Sequence, residues 1–203
     1  TVVLCVDKFD EFMEQNHLYG VALSDGLSDE EILKHFLKAK LPRSVVTDLY
    51  AYLKAVDAPI AIRSSSLLED AHYQPFAGVY STYMVPNIKG QRITTLMMVC
   101  EAIKAVYASV YYRSSKSYMK ATKNVISREK MAVVLQEVCG KQYGNRFYPS
   151  FSGVGRSLNF YPIGNEKPED GIVNVALGLG KYIVDGGQTL RFSPKHPHNI
   201  LQT

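Results

Sequence analysis

Residues 60–83, IAIRSSSLLEDAHYQPFAGVYSTY, constrain the fold more than any other stretch of the chain. An apolar run, Ile60 to Ile62, delivers one arginine, Arg63, into three serines, Ser64 to Ser66. Glu69 and Asp70 follow, and Phe76-Ala77-Gly78 opens a second alternating run. The pattern predicts strand, polar loop, strand. The loop offers a guanidinium, hydroxyls and backbone N–H groups, the donors that hold phosphate oxygens. An ordinary hairpin with a serine-rich turn has the same pattern, and spacing alone does not separate the two.

The residues before this segment read as a strand and three helices. Val2 to Val6 is strand-like, and Asp7 is positioned to cap a helix from Lys8 to Gln15 with Phe9, Phe12 and Met13 on one face. Ser28 and Glu31 have the spacing of a capping box ahead of Ile32, Leu33, Phe36 and Leu37. Pro42 starts a third helix whose Val45, Val46, Leu49, Leu53 and Val56 form an apolar face. Beyond a strand from Val79 to Val85, Ile93, Leu96, Cys100, Ile103, Tyr107 and Val110 predict one long helix over Arg92 to Arg113. A more polar helix is expected from Lys116 to Lys123.

The second half changes character. Met131 to Val138, Tyr148 to Asn159, Gly171 to Leu177 and Gln188 to Phe192 read as strands separated by glycine-rich turns, which predicts a largely antiparallel sheet. The expected class is α+β, with helices plus mainly antiparallel sheets in two lobes. Residues 1–125 form the lobe carrying the Arg63 loop, and residues 126–203 form the antiparallel-sheet lobe.

Composition narrows the function. At 203 residues and 46% hydrophobic, the chain can bury one core or two small ones. With 23 basic and 19 acidic residues and no basic block, nucleic acid is not an expected partner. No apolar run approaches the ~20 residues that cross a bilayer, so no membrane is expected. Cys5, Cys100 and Cys139 are far apart in apolar surroundings, which predicts buried reduced thiols in a cytoplasmic protein. His196 and His198, flanked by prolines, predict an exposed tail.

Arg63-Ser64-Ser65, Glu69-Asp70 and Phe76-Ala77-Gly78 together resemble the signature of one nucleotide-binding domain. It is the N-terminal domain of the phosphoenolpyruvate synthase and pyruvate phosphate dikinase family. Rifampin phosphotransferases and glucan water dikinases share it. The likeness runs from about Val3 to Phe192. It implies an ATP-grasp-type two-lobe fold that splits ATP and sends a phosphoryl group to a histidine on a separate swivelling domain. The implied partners are ATP, that phosphohistidine domain, and a pyruvate- or phosphoenolpyruvate-binding domain of the same parent chain. The chain is accordingly expected to be a piece of a larger protein and inactive alone. A phosphate-binding lysine segment is expected to precede Thr1.

The resemblance also implies roles for residues. Arg63 is the catalytic candidate and holds phosphate, with Ser64, Ser65 and Gly78 beside the nucleotide. Arg113, expected at the end of the long helix, is a secondary phosphate candidate and equally a cation placed to complement the helix dipole. The strand end Gln136-Glu137-Val138 would present backbone groups to adenine. Ser152-Gly153-Val154 would flank the cleft. Gly178-Leu179-Gly180-Lys181 matches a family segment Glu-x-x-x-Gly-Leu-Gly-Glu, but this chain has Asn174 and Lys181 in the acidic positions. Mg²⁺ favours anionic oxygen ligands. Asn174 is the metal candidate through its neutral oxygen, Lys181 a phosphate contact, and Asp185 and Glu137 the replacement carboxylates. Gln188 and Arg191 lie where further polar ATP contacts fall. The Asn174 and Lys181 departures sustain a second reading, a catalytically silent nucleotide-binding regulatory module.

Overall fold

The computed structural model describes residues 1–66, 69, 80–122, 126, 129–180, 183 and 187–202. Two compact units divide the chain, Thr1–Val138 and Cys139–Thr203.

The first unit is built on a sheet of four antiparallel strands in the order β1-β4-β2-β3. These are β1 (Val2–Leu4), β2 (Ile60–Ser66), β3 (Tyr83–Val85) and β4 (Met131–Glu137). The β2–β4 ladder is continuous from Ile60↔Glu137 to Ser66↔Met131. That pairing, with β1 on the other side of β4, draws β4 into the first unit. The division therefore falls after Val138 and not near residue 125.

Alternation sorts the two faces. Ile60, Ile62, Met131, Val133 and Leu135 are fully buried, while Arg63, Gln136 and Val3 are exposed. Helices cover the buried face: α1 (Val6–Gln15), α2 (Tyr19–Ala22), α3 (Asp29–Lys38), α4 (Arg43–Ala55), α5 (Arg92–Ser109) and α6 (Arg113–Ala121). Phe9, Phe12, Phe36, Tyr107 and Tyr111 form an aromatic cluster with ring centroids 5.0–5.9 Å apart. Such tilted and edge-on contacts add to the area that each ring removes from water. Ser28 caps α3 as its sequence predicts. Its hydroxyl accepts from the Glu31 amide at 3.3 Å, and the Glu31 carboxylate accepts from the Ser28 amide at 2.8 Å. At the other end of α3, Lys104 Nζ donates to the Leu37 carbonyl at 2.6 Å, which satisfies an orphaned C-terminal acceptor.

Several local expectations are corrected. Cys5, not Asp7, is the N-cap of α1, and Asp7 lies in its first turn, where its charge suits the dipole. The predicted long helix ends at Ser109, and Tyr112 takes an extended conformation before α6 begins at Arg113. The cation therefore opens a helix and does not close one. The stretch Arg92–Ala121 is long and apolar enough to pass for a membrane span, contrary to expectation, but more than half of its most apolar window is buried in the protein. Cys5 and Cys139 are exposed and Cys100 is half-buried, so only Cys100 approaches the predicted environment.

The second unit holds a hairpin, β5 (Lys141–Tyr143) with β6 (Arg146–Tyr148), and a four-stranded antiparallel sheet in the order β10-β9-β8-β7. Its strands are β7 (Phe151–Arg156), β8 (Ile172–Leu177), β9 (Leu190–Ser193) and β10 (His196–Gln202). The expected histidine tail is therefore an edge strand, where Pro197 costs no ladder bond. His196 Nε2 lies 3.3 Å from Asp170 Oδ2, and Lys195 Nζ lies 2.9 Å from Asp170 Oδ1. Those contacts, with the Lys167 amide, hold the Asp170 carboxyl below its usual range.

Candidate functional site

The residues singled out by the sequence fall into groups on the two units. In the first unit the alternation of β2 and β4 fixes what points where. Arg63 pairs with Val134 and Ala61 with Gln136, so all four share the face turned away from the helices, on which Ala61 is itself buried while Arg63 and Gln136 are exposed. Arg63 Nη1 donates to Gln136 Oε1 at 3.5 Å. Val3 on β1 and Met84 on β3 are the cross-strand neighbours of Val134 and Ala61, and are 49% and 57% exposed. Among the described residues, this face combines apolar Ala61, Val134, Val3 and Met84 with one guanidinium and the polar Gln136 and Ser65. Among the described residues, no carboxylate pairs with Arg63.

Ser64 and Ser65 part company. Ser65 shares Arg63's parity only diagonally, beside Ala132, whereas Ser64 points to the other face. There the Ser64 hydroxyl donates to Glu69 Oε1 at 2.8 Å, and the Ser66 amide donates to Glu69 Oε2 at 3.1 Å. Ser64 is thus committed to bracing the end of β2. Behind it, the Tyr80 hydroxyl donates to Glu129 Oε1 at 3.2 Å. Burial pushes the Glu129 carboxyl up, against the opposing pull of the Ser66 and Tyr80 hydrogen bonds.

At the far end of β4, the Val138 amide donates to the Pro59 carbonyl at 2.8 Å. Antiparallel ladders alternate, so the N–H and C=O of the preceding residue, Glu137, face away from β2. On that side the β1 register covers only Val133 to Leu135. The Glu137 side chain shares the parity of Leu135, on the helix-packed face, and burial, with its charge as a second cause, raises the Tyr52 phenol on α4. It is therefore on the opposite face from Arg63 and Gln136.

Arg113 forms a separate cluster. Its backbone amide donates to Asp29 Oδ1 at 2.8 Å, and Lys116 Nζ donates to the Ser24 carbonyl at 2.7 Å. Burial lowers the Lys116 pKa. Arg113, Lys116 and Lys120 line a cavity of about 360 Å³ together with Asp25 and Asp29.

In the second unit, Asn174 on β8 pairs with Val154 on one side and Arg191 on the other. Asn174, Arg191, Arg156 and Asn159 line a cavity of about 250 Å³, with Phe160 and Tyr161 at its wall. Arg191 Nη2 donates to Asn159 Oδ1 and to the Tyr161 carbonyl, both at 3.4 Å. The buried Asn159 also donates to Glu166 Oε2 at 3.0 Å. Ser152 donates its hydroxyl to the Gly178 carbonyl at 2.7 Å, and Gly178 takes φ 77°, which favours glycine. A Cβ on Gly153 would come within 3.0 Å of the Asn174 carbonyl, so that glycine permits close cross-strand approach. Gln188 lines a different cavity, against Phe151 and Leu177. Gly78, Asp70, Lys181 and Asp185 lie outside the described residues.

Sequence reasoning placed Arg63 and Gln136 separately but missed that they touch, and it did not find Arg156 or Asn159. The signal for the second pair was weak. Both lie where β7 runs into a loop, and their proximity to Arg191 follows from strand register, which no short motif encodes.

Comparison with known proteins adds to this geometry. Residues 2–198 match the family described as "Pyruvate phosphate dikinase, AMP/ATP-binding domain". The phosphoenolpyruvate synthase of Aeropyrum pernix is 31% identical over 170 residues, covering 80% of this chain and 18% of that protein. An uncharacterized phosphotransferase of Bacillus subtilis, YvkC, is 30% identical over 185 residues, covering 88% of this chain and 19% of its own. The chain thus spans less than a fifth of either relative. Helices with mainly antiparallel sheets, and a match over nearly all residues, place this chain in the pyruvate phosphate dikinase AMP/ATP-binding domain family.

Proposed function

We propose that this chain is the ATP-binding domain of a cytoplasmic dikinase-type phosphotransferase with an ATP-grasp-type fold. It cleaves ATP and passes a phosphoryl group to a histidine on a separate domain of the parent protein. A pyruvate- or phosphoenolpyruvate-binding domain then serves as the onward station. The observation that carries this reading is the Arg63 guanidinium on the open face of the first sheet. Its described hydrogen-bond partner is the neutral Gln136 oxygen at 3.5 Å. A permanent cation that pairs with no carboxylate among the described residues, on a face rich in apolar side chains, is a ready partner for phosphate oxygens. The outward-facing Glu137 N–H and C=O supply one donor and one acceptor, the pair that an adenine edge requires. Free cysteines fit a reducing compartment.

One observation favours a second reading. Asn174 stands beside Arg191 where the resemblance implies acidic residues, which suits a nucleotide-binding regulatory module without turnover. ATP turnover and histidine labelling by the full-length protein separate the two. Turnover with a labelled histidine supports the phosphotransferase. Tight ATP binding without either supports the module. Arg63→Ala is expected to weaken ATP binding about tenfold or more, the loss of one or two charge-assisted hydrogen bonds. Unchanged binding and turnover in a folded Arg63→Ala protein rules out the role given to Arg63.

A further inference from the structure

The family to which the chain belongs implies magnesium with its nucleotide, and the cavity around Asn174 is where that implication meets this chain's own side chains. The donor set does not fit. Mg²⁺ takes six hard oxygens and is usually bound through one or two carboxylates. The cavity of about 250 Å³ is lined by two guanidiniums, Arg156 and Arg191, and two neutral amides, Asn159 and Asn174. Among the described residues, no carboxylate lines it. Glu166 reaches it only through Asn159, and its Oε2 is occupied by the Asn159 side chain at 3.0 Å and the Ile163 amide at 3.1 Å. Nor do the described residues anywhere bring three His, Cys, Asp or Glu side chains into one group that could hold a metal ion.

What the cavity does fit is an anion. Arg191 is the cross-strand neighbour of Asn174, and Arg156 stands at the end of β7 on the same face as Val154, Asn174 and Arg191. Among the described residues, neither arginine is paired with a carboxylate. Arg191's contacts, to Asn159 Oδ1 and the Tyr161 carbonyl, are both neutral and both long at 3.4 Å, so most of its donors remain available. Two such forks match phosphate oxygens in geometry and charge, and the amide of Asn174 can add a neutral donor. A divalent cation placed among them would meet two like charges and, among the described residues, no carboxylate to hold it.

We infer that this cavity binds the phosphate groups of a nucleotide directly through Arg156 and Arg191, without a divalent metal. The inference rests on the nucleotide-binding reading and specifies how one of the two units engages the ligand. The guanidiniums supply the neutralising charge that a metal would otherwise bring.

Titration calorimetry of the full-length protein with a non-hydrolysable ATP analogue tests it, once in excess EDTA and once in excess magnesium. The expected result is binding in both, with dissociation constants within about threefold of one another. Arg191→Ala is expected to weaken binding in EDTA by about tenfold or more. Because Arg191 also steadies the loop through Asn159 and Tyr161, the exposed Arg156→Gln is a second probe, with a loss in the same direction and an unchanged melting temperature. Binding that appears only with magnesium overturns this inference and leaves the nucleotide-binding reading standing. Full affinity in both arginine variants overturns the site. Failure to bind in either condition overturns both.

Discussion

Arg63 and Gln136, 73 residues apart in sequence, meet at 3.5 Å on the open face of one sheet, because β2 and β4 are antiparallel and Arg63 lies diagonal to Gln136. The bond is at the outer limit of hydrogen-bond geometry, and both side chains are exposed. It is therefore worth little to the fold. Gln136→Ala is expected to cost less than about 0.5 kcal/mol in denaturant unfolding. A double-mutant cycle with Arg63→Ala is expected to give a coupling of similarly small size. If nucleotide approaches this face, Arg63→Ala weakens its binding more than Gln136→Ala does, since only the former removes a charge. A large stability coupling with no effect on nucleotide would make the pair a structural strut.

Much of the first unit was legible because its signals are local. The α3 capping box is written in Ser28 and Glu31, and the buried faces of α1, α3 and α4 follow a 3.6-residue period. What failed was non-local. Met131–Glu137 reads as another strand in a run of strands, and only its pairing with β1 and β2 assigns it to the first unit. The break at Tyr112 was hidden because apolar residues continue through it; Val110 and Tyr111 are both buried despite the turn. Of the site, the motif located Arg63. The neighbours Val3, Met84 and Gln136 depend on sheet order. So does the meeting of Asn174 with Arg191, which a spacing argument along one chain has no means to see.

Ser28→Ala removes one side of the α3 capping box. The Glu31 amide loses its acceptor, and the Glu31 carboxylate, held below its usual range by the Ser28 backbone and hydroxyl, loses one of its donors. N-cap replacements of this kind cost about 1 kcal/mol. Denaturant unfolding at neutral pH measures it. No change would mean that packing of Ile32 and Phe36, both essentially fully buried, holds the first turn unaided.

Glu129 predicts a pH dependence of definite sign. Burial raises its pKa above the ordinary 4.5. The folded state therefore binds the proton more readily than the unfolded one. The stability it contributes is fully present below the ordinary value and is lost as pH rises from there through the raised folded pKa. Glu129→Gln stays neutral and keeps an acceptor for the Tyr80 hydroxyl, which lies 3.2 Å from Oε1 in the parent. The difference in stability, variant minus parent, should therefore grow with pH above about 4.5 and level off once the parent carboxyl is ionised. Unfolding curves taken across that range settle it. Parallel curves would mean that the carboxyl has the same affinity for protons folded and unfolded.

Gly171→Ala tests whether the second unit's cavity depends on one backbone position. Gly171 immediately precedes β8 with φ 73°, a conformation that L side chains rarely adopt, and an added Cβ would stand 2.8 Å from the Arg156 carbonyl. That carbonyl is backbone and cannot swing aside as a side chain would. Strain of this kind costs on the order of 1–3 kcal/mol. Relief requires β7 and β8 to separate where Arg156 faces Ile172, which moves the Arg156 guanidinium away from Arg191. The variant is expected to melt lower and, in EDTA, to bind an ATP analogue more weakly than the loss of stability alone explains. An unchanged melting temperature would show that the loop before β8 absorbs the methyl group, and the link between this glycine and the arginine pair would then fall.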